Sequence, residues 1–382
     1  MAYFILSNFW PVFDFFFRTA GIYPCKRVGE TQLQLTTGCQ FWLCYLATSI
    51  TIFSILGGTI LYILTYQTSL ELFMEMLSKL IGSSPLDITV VIWMNASITM
   101  TCFGCLMNIR SSVMKLKELQ DLVNTKSFLE FKIDLQLKLK AYFKFISWII
   151  AYFSSGVLCW IFITHQINND PLMKKPLPAF WKIVLAISYP LIQTIIILPF
   201  CYFLLLFIEL YILLHNWYQF IMEISPSELF LREVNHYMEG LRYARSIISP
   251  FLFWTTSMFF SQVILLTYYI FAFTTVNTGP WKTYEIGSIT AYLLYVFAYM
   301  YLLYIICYMS EQIVSRVQTL KIKIIETDPR IANREILYLA LGEFQGFDGN
   351  GYFTLNNSLL TGMVASFTTY LVILIQFKQS EN

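Results

Sequence analysis

The sequence predicts an all-α membrane protein that crosses the bilayer with seven helices, and three observations support this fold class. Of the 382 residues, 57% are hydrophobic and only 13% are charged, whereas soluble domains carry about 25% charged residues. The mean hydropathy is +0.61. Seven apolar stretches are long enough for a membrane helix, which needs roughly 20 residues. The net charge of +2 argues against nucleic acid as a partner.

These apolar stretches divide the chain into membrane and cytoplasmic parts. The predicted spans are 41–66, 88–108, 145–164, 183–208, 246–273, 286–309 and 352–377. We therefore predict five units: the N-terminal segment with spans one to four (1–208), a cytoplasmic helical extension (209–245), spans five and six (246–309), cytoplasmic helices (310–351) and the seventh span (352–377).

Lys and Arg are distributed unequally between the two sides of the predicted bundle. One side carries 19 of them and the other carries six. The larger group lies in the N-terminal segment and in the second, fourth and sixth loops. Because basic residues accumulate in cytoplasmic loops, we predict a cytoplasmic N-terminus and an extracellular C-terminus. A G-protein-coupled receptor has the opposite orientation, so this distribution bears on function as well as on topology.

Apolar side chains continue beyond several spans at helical spacing, which predicts helices that project into the cytoplasm. The fourth helix should continue to Met222, about 60 Å from Ile183. The next helix is predicted to start with Ser225 as its N-cap, Pro226 at the first helical position and Glu228 completing a capping box. These extensions could be buried within one subunit or between subunits, and the pattern favours an oligomer. Their predicted buried residues are Phe230, Val234, Tyr237, Leu241, Ile313, Val317, Leu320, Ile324, Ile336, Leu339 and Phe344.

The sequence contains no recognisable motif of a catalytic site. The HExxH, P-loop, GxSxG and GxGxxG patterns are absent, and the three histidines fall in separate predicted elements, which disfavours a metal site. The centres of the predicted spans also lack ionisable side chains, which mark many pumps and transporters. We therefore expect no enzymatic activity, no cofactor and no bound metal, and a transporter is the weaker alternative.

Uncharged polar and aromatic side chains concentrate in the outer halves of the second to sixth spans. An aromatic cavity with a few hydrogen-bonding groups suits a small neutral or amphipathic ligand. Ordinary interhelical hydrogen bonds and an interfacial aromatic belt would explain the same residues, and the pattern leaves both explanations open. The candidate ligand-binding residues are Trp93, Asn95, Ser155, Trp160, Tyr189, Gln193, Gln262, Tyr269, Tyr292 and Tyr295.

The seventh span carries small and polar residues at spacings of three or four, which place them on one side of the predicted helix. A face of this kind suits a pore wall with a hydrophobic constriction, and it suits a close helix–helix interface equally well. The residues of this candidate pore face are Ser366, Thr369, Tyr370, Ile373, Gln376 and Phe377.

The end of the seventh span resembles the insect gustatory receptor family. Residues 369–377 read Thr-Tyr, five apolar residues and Gln-Phe, and residues 351–355, Gly-Tyr-Phe-Thr-Leu, also look like the family. The resemblance implies a tetrameric, ligand-gated, non-selective cation channel whose central pore is lined by the seventh helix. It further implies an outer gate at Gln376 and Phe377, a ligand in the outer half of the other six helices, and subunit contacts in a cytoplasmic anchor.

The resemblance also implies partners and a location. The partners are a small-molecule tastant, monovalent and divalent cations, the lipid bilayer, and further copies of the chain or related subunits in a hetero-oligomer. The location is the plasma membrane of chemosensory neurons. Compact loops favour a bitter compound, a pheromone or another non-sugar tastant. A G-protein-coupled chemoreceptor and an odorant-receptor-type channel subunit are the alternatives, although odorant receptors lack the Thr-Tyr…Gln-Phe ending.

Overall fold

The computed structural model describes most of the chain from the predicted third span to the C-terminal helix. The described residues are 25–28, 32–35, single positions between 90 and 123, 135–169, 179–276, 283–327 and 334–380. For some of them, including 162–169 and 179–199, only the backbone is described. The predicted first span lies outside the described residues, and the second is represented by isolated helical positions from Val90 onward.

Helices form nearly all of the secondary structure in the described residues. In chain order they are α1 (Leu135–Asn169), α2 (Ala179–Glu223), α3 (Glu228–Val276), α4 (Thr283–Ile325), α5 (Arg334–Glu343) and α6 (Asn357–Ser380). The exception to the predicted all-α fold is an antiparallel hairpin of two strands, β1 (Cys25–Val28) and β2 (Gln32–Leu35). Gln and Leu alternate along β2, and this two-residue period is that of a strand.

Five of these helices are long and apolar enough to cross a membrane, and each overlaps one of the predicted third to seventh spans. Their apolar segments are Gln136–Leu158 in α1, Phe200–Glu223 in α2, Glu228–Tyr268 in α3, Ile289–Ile325 in α4 and Asn357–Phe377 in α6. The chain is therefore a multi-pass membrane protein whose described part is a bundle of long helices.

Three helices are much longer than the hydrocarbon layer is thick. α2 has 45 residues, α3 has 49 and α4 has 43, which correspond to lengths of about 65–75 Å against about 30 Å of hydrocarbon. The predicted continuation of the fourth helix to Met222 is confirmed, because α2 is unbroken as far as Glu223. The same helices that span the membrane thus also build the region outside it.

The core lies around α2, which packs against α1, α3 and α4. Residues 200–217, which form most of its apolar segment, are all buried. The predicted apolar stripes of α3 and α4 face this core and are confirmed: Phe230, Val234, Tyr237, Leu241, Ile313, Val317, Leu320 and Ile324 are all buried. Trp217 of α2 meets Tyr237 of α3 edge-on, with ring centroids 5.7 Å apart.

Two local predictions are wrong. α3 begins at Glu228, and its N-cap is Ser227 rather than Ser225, because the Phe230 backbone N–H donates to Ser227 Oγ at 3.3 Å. On α5, Leu337 and Leu341 are buried, as Phe344 is, whereas Ile336 and Leu339 are 65% and 66% exposed. The helix meets α3 and α4 through a face one to two residues away from the predicted one.

Close packing of α3 on α2 predicts a strong effect of adding one methyl group at Gly240. A Cβ there would lie 2.5 Å from Cζ3 of Trp217, whose side chain is fully buried and cannot move aside. We expect Gly240→Ala to destabilise the protein by about 1–3 kcal/mol. The measurement is the thermal unfolding midpoint of detergent-solubilised protein, with size-exclusion chromatography used to detect the fraction that remains folded after heating.

Gly362→Ala is the matched control, since nothing lies within 4 Å of a Cβ at Gly362. Alanine has the higher helix propensity, so this variant should be neutral or more stable by up to about 1 kcal/mol. Equal midpoints for the two variants would contradict the proposed contact with Trp217.

Candidate functional site

Helix α6 differs from the other spans because its own subunit leaves it largely uncovered. None of the residues 357–377 is buried, whereas residues 200–217 of α2 are all buried. A hydrophobic helix of this kind must be covered by lipid or by other protein. All six residues of the candidate pore face are exposed on it: Ser366, Thr369, Tyr370, Ile373, Gln376 and Phe377.

One narrow face of α6 contacts the rest of the bundle, mainly α3 and α4. Met363 and Phe367 pack against the main core, and Leu371 and Leu374 pack against a smaller cluster that contains Leu265 and Tyr268 of α3. These residues recur at spacings of three and four, as one helix face requires. Most of the remaining surface of α6 is available to surfaces outside this subunit, although Tyr370 of the candidate pore face also meets Phe260 of α3 edge-on, with ring centroids 6.4 Å apart.

The first turn of α6 is held by two side chains. Asn356 caps the helix, because the Leu359 backbone N–H donates to Asn356 Oδ1 at 2.7 Å. Glu311 of α4 accepts from the Asn357 backbone N–H at 2.6 Å, and the Asn357 side-chain amide bonds to the same carboxylate. A carboxylate at a helix N-terminus also interacts favourably with the helix dipole. The start of α6 is therefore fixed relative to α4.

The segment that joins α5 to α6 is a compact turn, here called the α6 turn (344–356). It contains left-handed backbone at Gly346, Asn350 and Gly351, with φ values of 117°, 53° and 79°. Backbone hydrogen bonds close it, from Gly349 N–H to Phe353 O at 2.8 Å and from Leu355 N–H to Phe347 O at 2.8 Å. α6 is therefore attached to α5 through a hydrogen-bonded turn of defined geometry.

Asp348 connects the α6 turn to α3. Its side chain forms an ion pair with Arg245, whose Nε donates to Oδ2 at 3.1 Å, and Ser249 Oγ lies 2.5 Å from Oδ1. Ser249 in turn accepts from the Asn350 backbone N–H at 2.8 Å. Partial burial raises the pKa of Asp348, but the hydrogen bonds from Arg245 and Ser249 outweigh it, so the net pKa lies below its usual value.

The structure brings some of the candidate ligand-binding residues together at an aromatic cluster between α1, α3 and α4. Tyr295 meets Tyr152 of α1 edge-on at 5.3 Å and stacks on Tyr299 at 6.3 Å, and Tyr299 meets Phe259 of α3 at 5.1 Å. Ser155 is buried beside this cluster and donates to the Tyr152 carbonyl at 2.6 Å. The cluster is the densest aromatic contact region among the predicted ligand-binding residues that are described.

The other candidates lie apart from this cluster or outside the description. Gln262 of α3 is buried and donates from Nε2 to Ser97 Oγ at 2.7 Å, which is an interhelical hydrogen bond of the kind that the alternative explanation expects. Tyr292 is half-buried against the core, and Trp93 is 60% exposed. Asn95, and the side chains of Trp160, Tyr189, Gln193 and Tyr269, lie outside the described residues.

Sequence analysis missed several members of these sites. Tyr152, Tyr299 and Phe259 are buried among the predicted candidates, but nothing in an aromatic-rich sequence distinguishes them from other core aromatics. Arg245 and Asp348 are 103 positions apart, so only the folded chain shows that they pair. The one usable signal was the glycine-rich stretch before the seventh span, since left-handed backbone favours glycine.

The chain has no match among family models or curated protein sequences, but it has matches among solved structures. The chain is similar to the solved structure of the insect olfactory receptor OR5 from Machilis hrabei, with a TM-score of 0.60, 14% identity and coverage of 96% of this chain and 97% of that chain. The same receptor in complex with eugenol gives a TM-score of 0.57 at the same identity and coverage.

The chain has the fold of an insect olfactory receptor. The likeness extends over almost the full length of both chains, and at this identity it concerns the fold alone. This fold agrees with the helical membrane architecture described above.

The ion pair of the α6 turn predicts a pH-dependent stability. Asp348 has a lowered pKa in the folded chain, so its contribution is complete above its unfolded pKa and disappears as the pH falls through the lowered value. We expect Asp348→Asn to cost about 1–2 kcal/mol at neutral pH, a figure reduced because Arg245 is half-exposed. Thermal unfolding midpoints of wild type and Asp348→Asn, recorded at neutral and at strongly acidic pH, measure this loss of stability and its pH dependence.

Glu343→Gln serves as the control, because Glu343 is an exposed carboxylate close to the same turn. It should leave the midpoint unchanged at neutral pH. The difference between wild type and Asp348→Asn should shrink in acid. A difference that is the same at both pH values would show that the carboxylate charge does not contribute.

Proposed function

We propose that this chain is a gustatory-type receptor subunit that forms a tastant-gated, non-selective cation channel. In this proposal four copies assemble as a homotetramer, and the α6 helices surround a central pore. The single observation that carries the proposal is the exposure of α6, whose apolar and polar surface its own subunit does not cover. The Thr-Tyr…Gln-Phe ending and the chemoreceptor fold support it.

The polar residues of α6 favour a wet surface over lipid for its exposed side. Ser366, Thr369 and Gln376 are exposed among apolar neighbours, and polar side chains that face hydrocarbon are unfavourable. Thr369 reduces this cost by donating to the Ala365 carbonyl at 3.1 Å. Around a central axis these groups would line the pore, with Gln376 and Phe377 as the outer gate and with Tyr370 and Ile373 below them.

The ligand is proposed to bind in the outer half of the bundle, near the aromatic cluster of Tyr152, Tyr295 and Tyr299. Rings arranged edge-on and stacked around a buried hydroxyl at Ser155 suit a small, largely apolar molecule. We propose a bitter compound, a pheromone or another non-sugar tastant as its class. The chain would act in the plasma membrane of a chemosensory neuron, with a cytoplasmic N-terminus.

Assembly is proposed to use an apolar patch on the helices outside the predicted membrane layer. Ile322 and Ile325 of α4 and Ile336 and Leu339 of α5 are each 55–66% exposed in the single chain. Large apolar side chains grouped on a surface that faces water mark protein–protein contacts. A second copy of this chain is the partner that the tetramer proposal supplies.

Two other functions remain candidates. An odorant-receptor-type channel subunit would share the same fold, and the likeness to an olfactory receptor favours it as the second choice. A G-protein-coupled chemoreceptor requires an extracellular N-terminus, so reporter tags on the two termini distinguish it from both channel proposals. The 19-to-six distribution of basic residues favours the channel orientation.

Channel function predicts ligand-evoked currents in a heterologous cell. Oocytes that express the chain should give cation currents in response to a panel of bitter and pheromone-like compounds, and these currents should persist when G-protein signalling is blocked. Gln376→Ala and Phe377→Ala should alter the resting leak or the ion selectivity. A shift of about 1 kcal/mol in the closed-to-open equilibrium would change a small resting open fraction about fivefold.

Thr368→Ala is the control for the gate variants, since Thr368 lies on α6 outside the candidate pore face and bonds to the Val364 carbonyl at 2.9 Å. It should conduct like the wild type. Unchanged leak and selectivity in both gate variants would remove these residues from the gate, and currents abolished by blocking G-protein signalling would contradict the channel itself.

The proposed assembly surface predicts a loss of tetramers when charge is introduced. Ile336→Glu combined with Leu339→Glu should shift detergent-solubilised protein from tetramer to monomer, because each new carboxylate would be buried in the interface without a partner. Mass photometry or light scattering measures the particle mass. Glu335→Gln, an exposed neighbour on α5, should remain tetrameric, and a tetrameric double variant would show that the interface lies elsewhere.

A further inference from the structure

An open recess lies between α3 and α6, next to the start of α6. Its volume is about 550 Å³, within the range of small-molecule pockets. Its lining differs from the aromatic cluster, since it includes none of Tyr152, Tyr295 and Tyr299. The lining residues are Thr256, Ser257, Phe260, Phe353, Thr354, Asn356, Ser358, Leu359, Gly362, Met363 and Ser366.

The chemistry of the lining indicates the class of ligand. None of the lining residues carries a charge, so a charged ligand would find no counter-ion there. Phe260 and Met363 supply apolar surface, and hydroxyl groups lie on both walls, at Ser257 on α3 and at Ser358 on α6. This combination suits an uncharged molecule with an apolar body and a hydroxyl or carbonyl group.

Thr256 supplies a second, independent indication of a ligand. Its side chain is 3% exposed, and its hydroxyl has no hydrogen-bond partner within the described part of the chain. The hydroxyls of Thr255 and Thr267 on the same helix instead donate to carbonyls one turn earlier, at 2.7 and 2.8 Å. A buried hydroxyl without a partner is costly. Thr256 is one of the residues that line the recess, so a bound molecule could supply the missing partner.

Gly362 keeps the recess open on the α6 side. A Cβ at this position would have no atom within 4 Å, so the space beside it is empty rather than filled by a neighbour. A larger side chain at residue 362 would therefore enter the recess without displacing backbone. This provides a way to fill the site while leaving the helix intact.

We propose that this recess binds a neutral, hydroxyl-bearing amphiphile, and that the Thr256 hydroxyl bonds to it. A molecule in this position contacts α3, the α6 turn and α6 together, so its binding stabilises one placement of α6 relative to α3. The source of the amphiphile is either a small soluble alcohol or a neutral membrane lipid, since both carry the same chemistry. The proposal goes beyond the proposed function and does not require the chain to conduct ions.

The test uses a photoreactive octanol analogue on the full-length protein in lipid nanodiscs. After irradiation, mass spectrometry of peptides should locate the label at 256–260 and 358–363, and excess octanol should compete with it. Gly362→Leu should abolish labelling of both peptides. Thr256→Val, which keeps the side-chain shape, should weaken competition by octanol about fivefold, as the loss of one hydrogen bond predicts.

Two matched controls separate the site from general contact with membrane-dissolved octanol. Thr255→Val removes a neighbouring hydroxyl that is already bonded within α3, and Thr368→Leu adds bulk to α6 outside the recess; both should label like the wild type. Competition by octanol alone supports a soluble amphiphile, and competition by diacylglycerol supports a lipid. Labelling that persists in Gly362→Leu, or that is absent in the wild type, overturns the proposal whether or not currents are observed.

Discussion

Burial of α2 on all sides is the constraint on which the arrangement of the other helices depends. Residues 200–217 are mostly apolar and all buried, and α2 packs against α1, α3 and α4. Because α2 continues beyond the hydrocarbon layer, α3 and α4 must continue with it, and their apolar stripes follow it out of the membrane. The membrane bundle and the region outside it therefore form one continuous core.

The position of α6 follows from this core in a different way. α6 contributes one narrow face to the bundle, through residues such as Met363 and Phe367, and it is held at its start by Glu311 and by the α6 turn. Such a helix is fixed at its start and packs along one narrow face, while the rest of its surface is left uncovered by its own subunit. This arrangement is what the proposed pore helix requires.

Contacts at the start of α6 link the α6 turn to both α2 and α3. The ion pair of Asp348 with Arg245 joins the α6 turn to α3, the Phe347 ring lies 5.5 Å from Phe207 of α2, and the recess lies between the same α3 and α6. Any molecule or contact that alters the spacing of α3 and α6 acts on this junction. The aromatic cluster also includes α3, through Phe259, so α3 connects the proposed ligand site with the proposed pore.

The sequence by itself determined the number of apolar stretches, the length of the helical extensions and the stripes at Phe230 and Ile313, because hydrophobic length and helical period are local properties. It also determined the small and polar face of α6. Only the tertiary structure decided that this face is uncovered, that α5 packs through Leu337 and Leu341 and not through Ile336, and that Arg245 meets Asp348. These facts depend on how distant segments are placed in space, and a hydrophobic pattern with two apolar faces does not specify which of them the fold will bury.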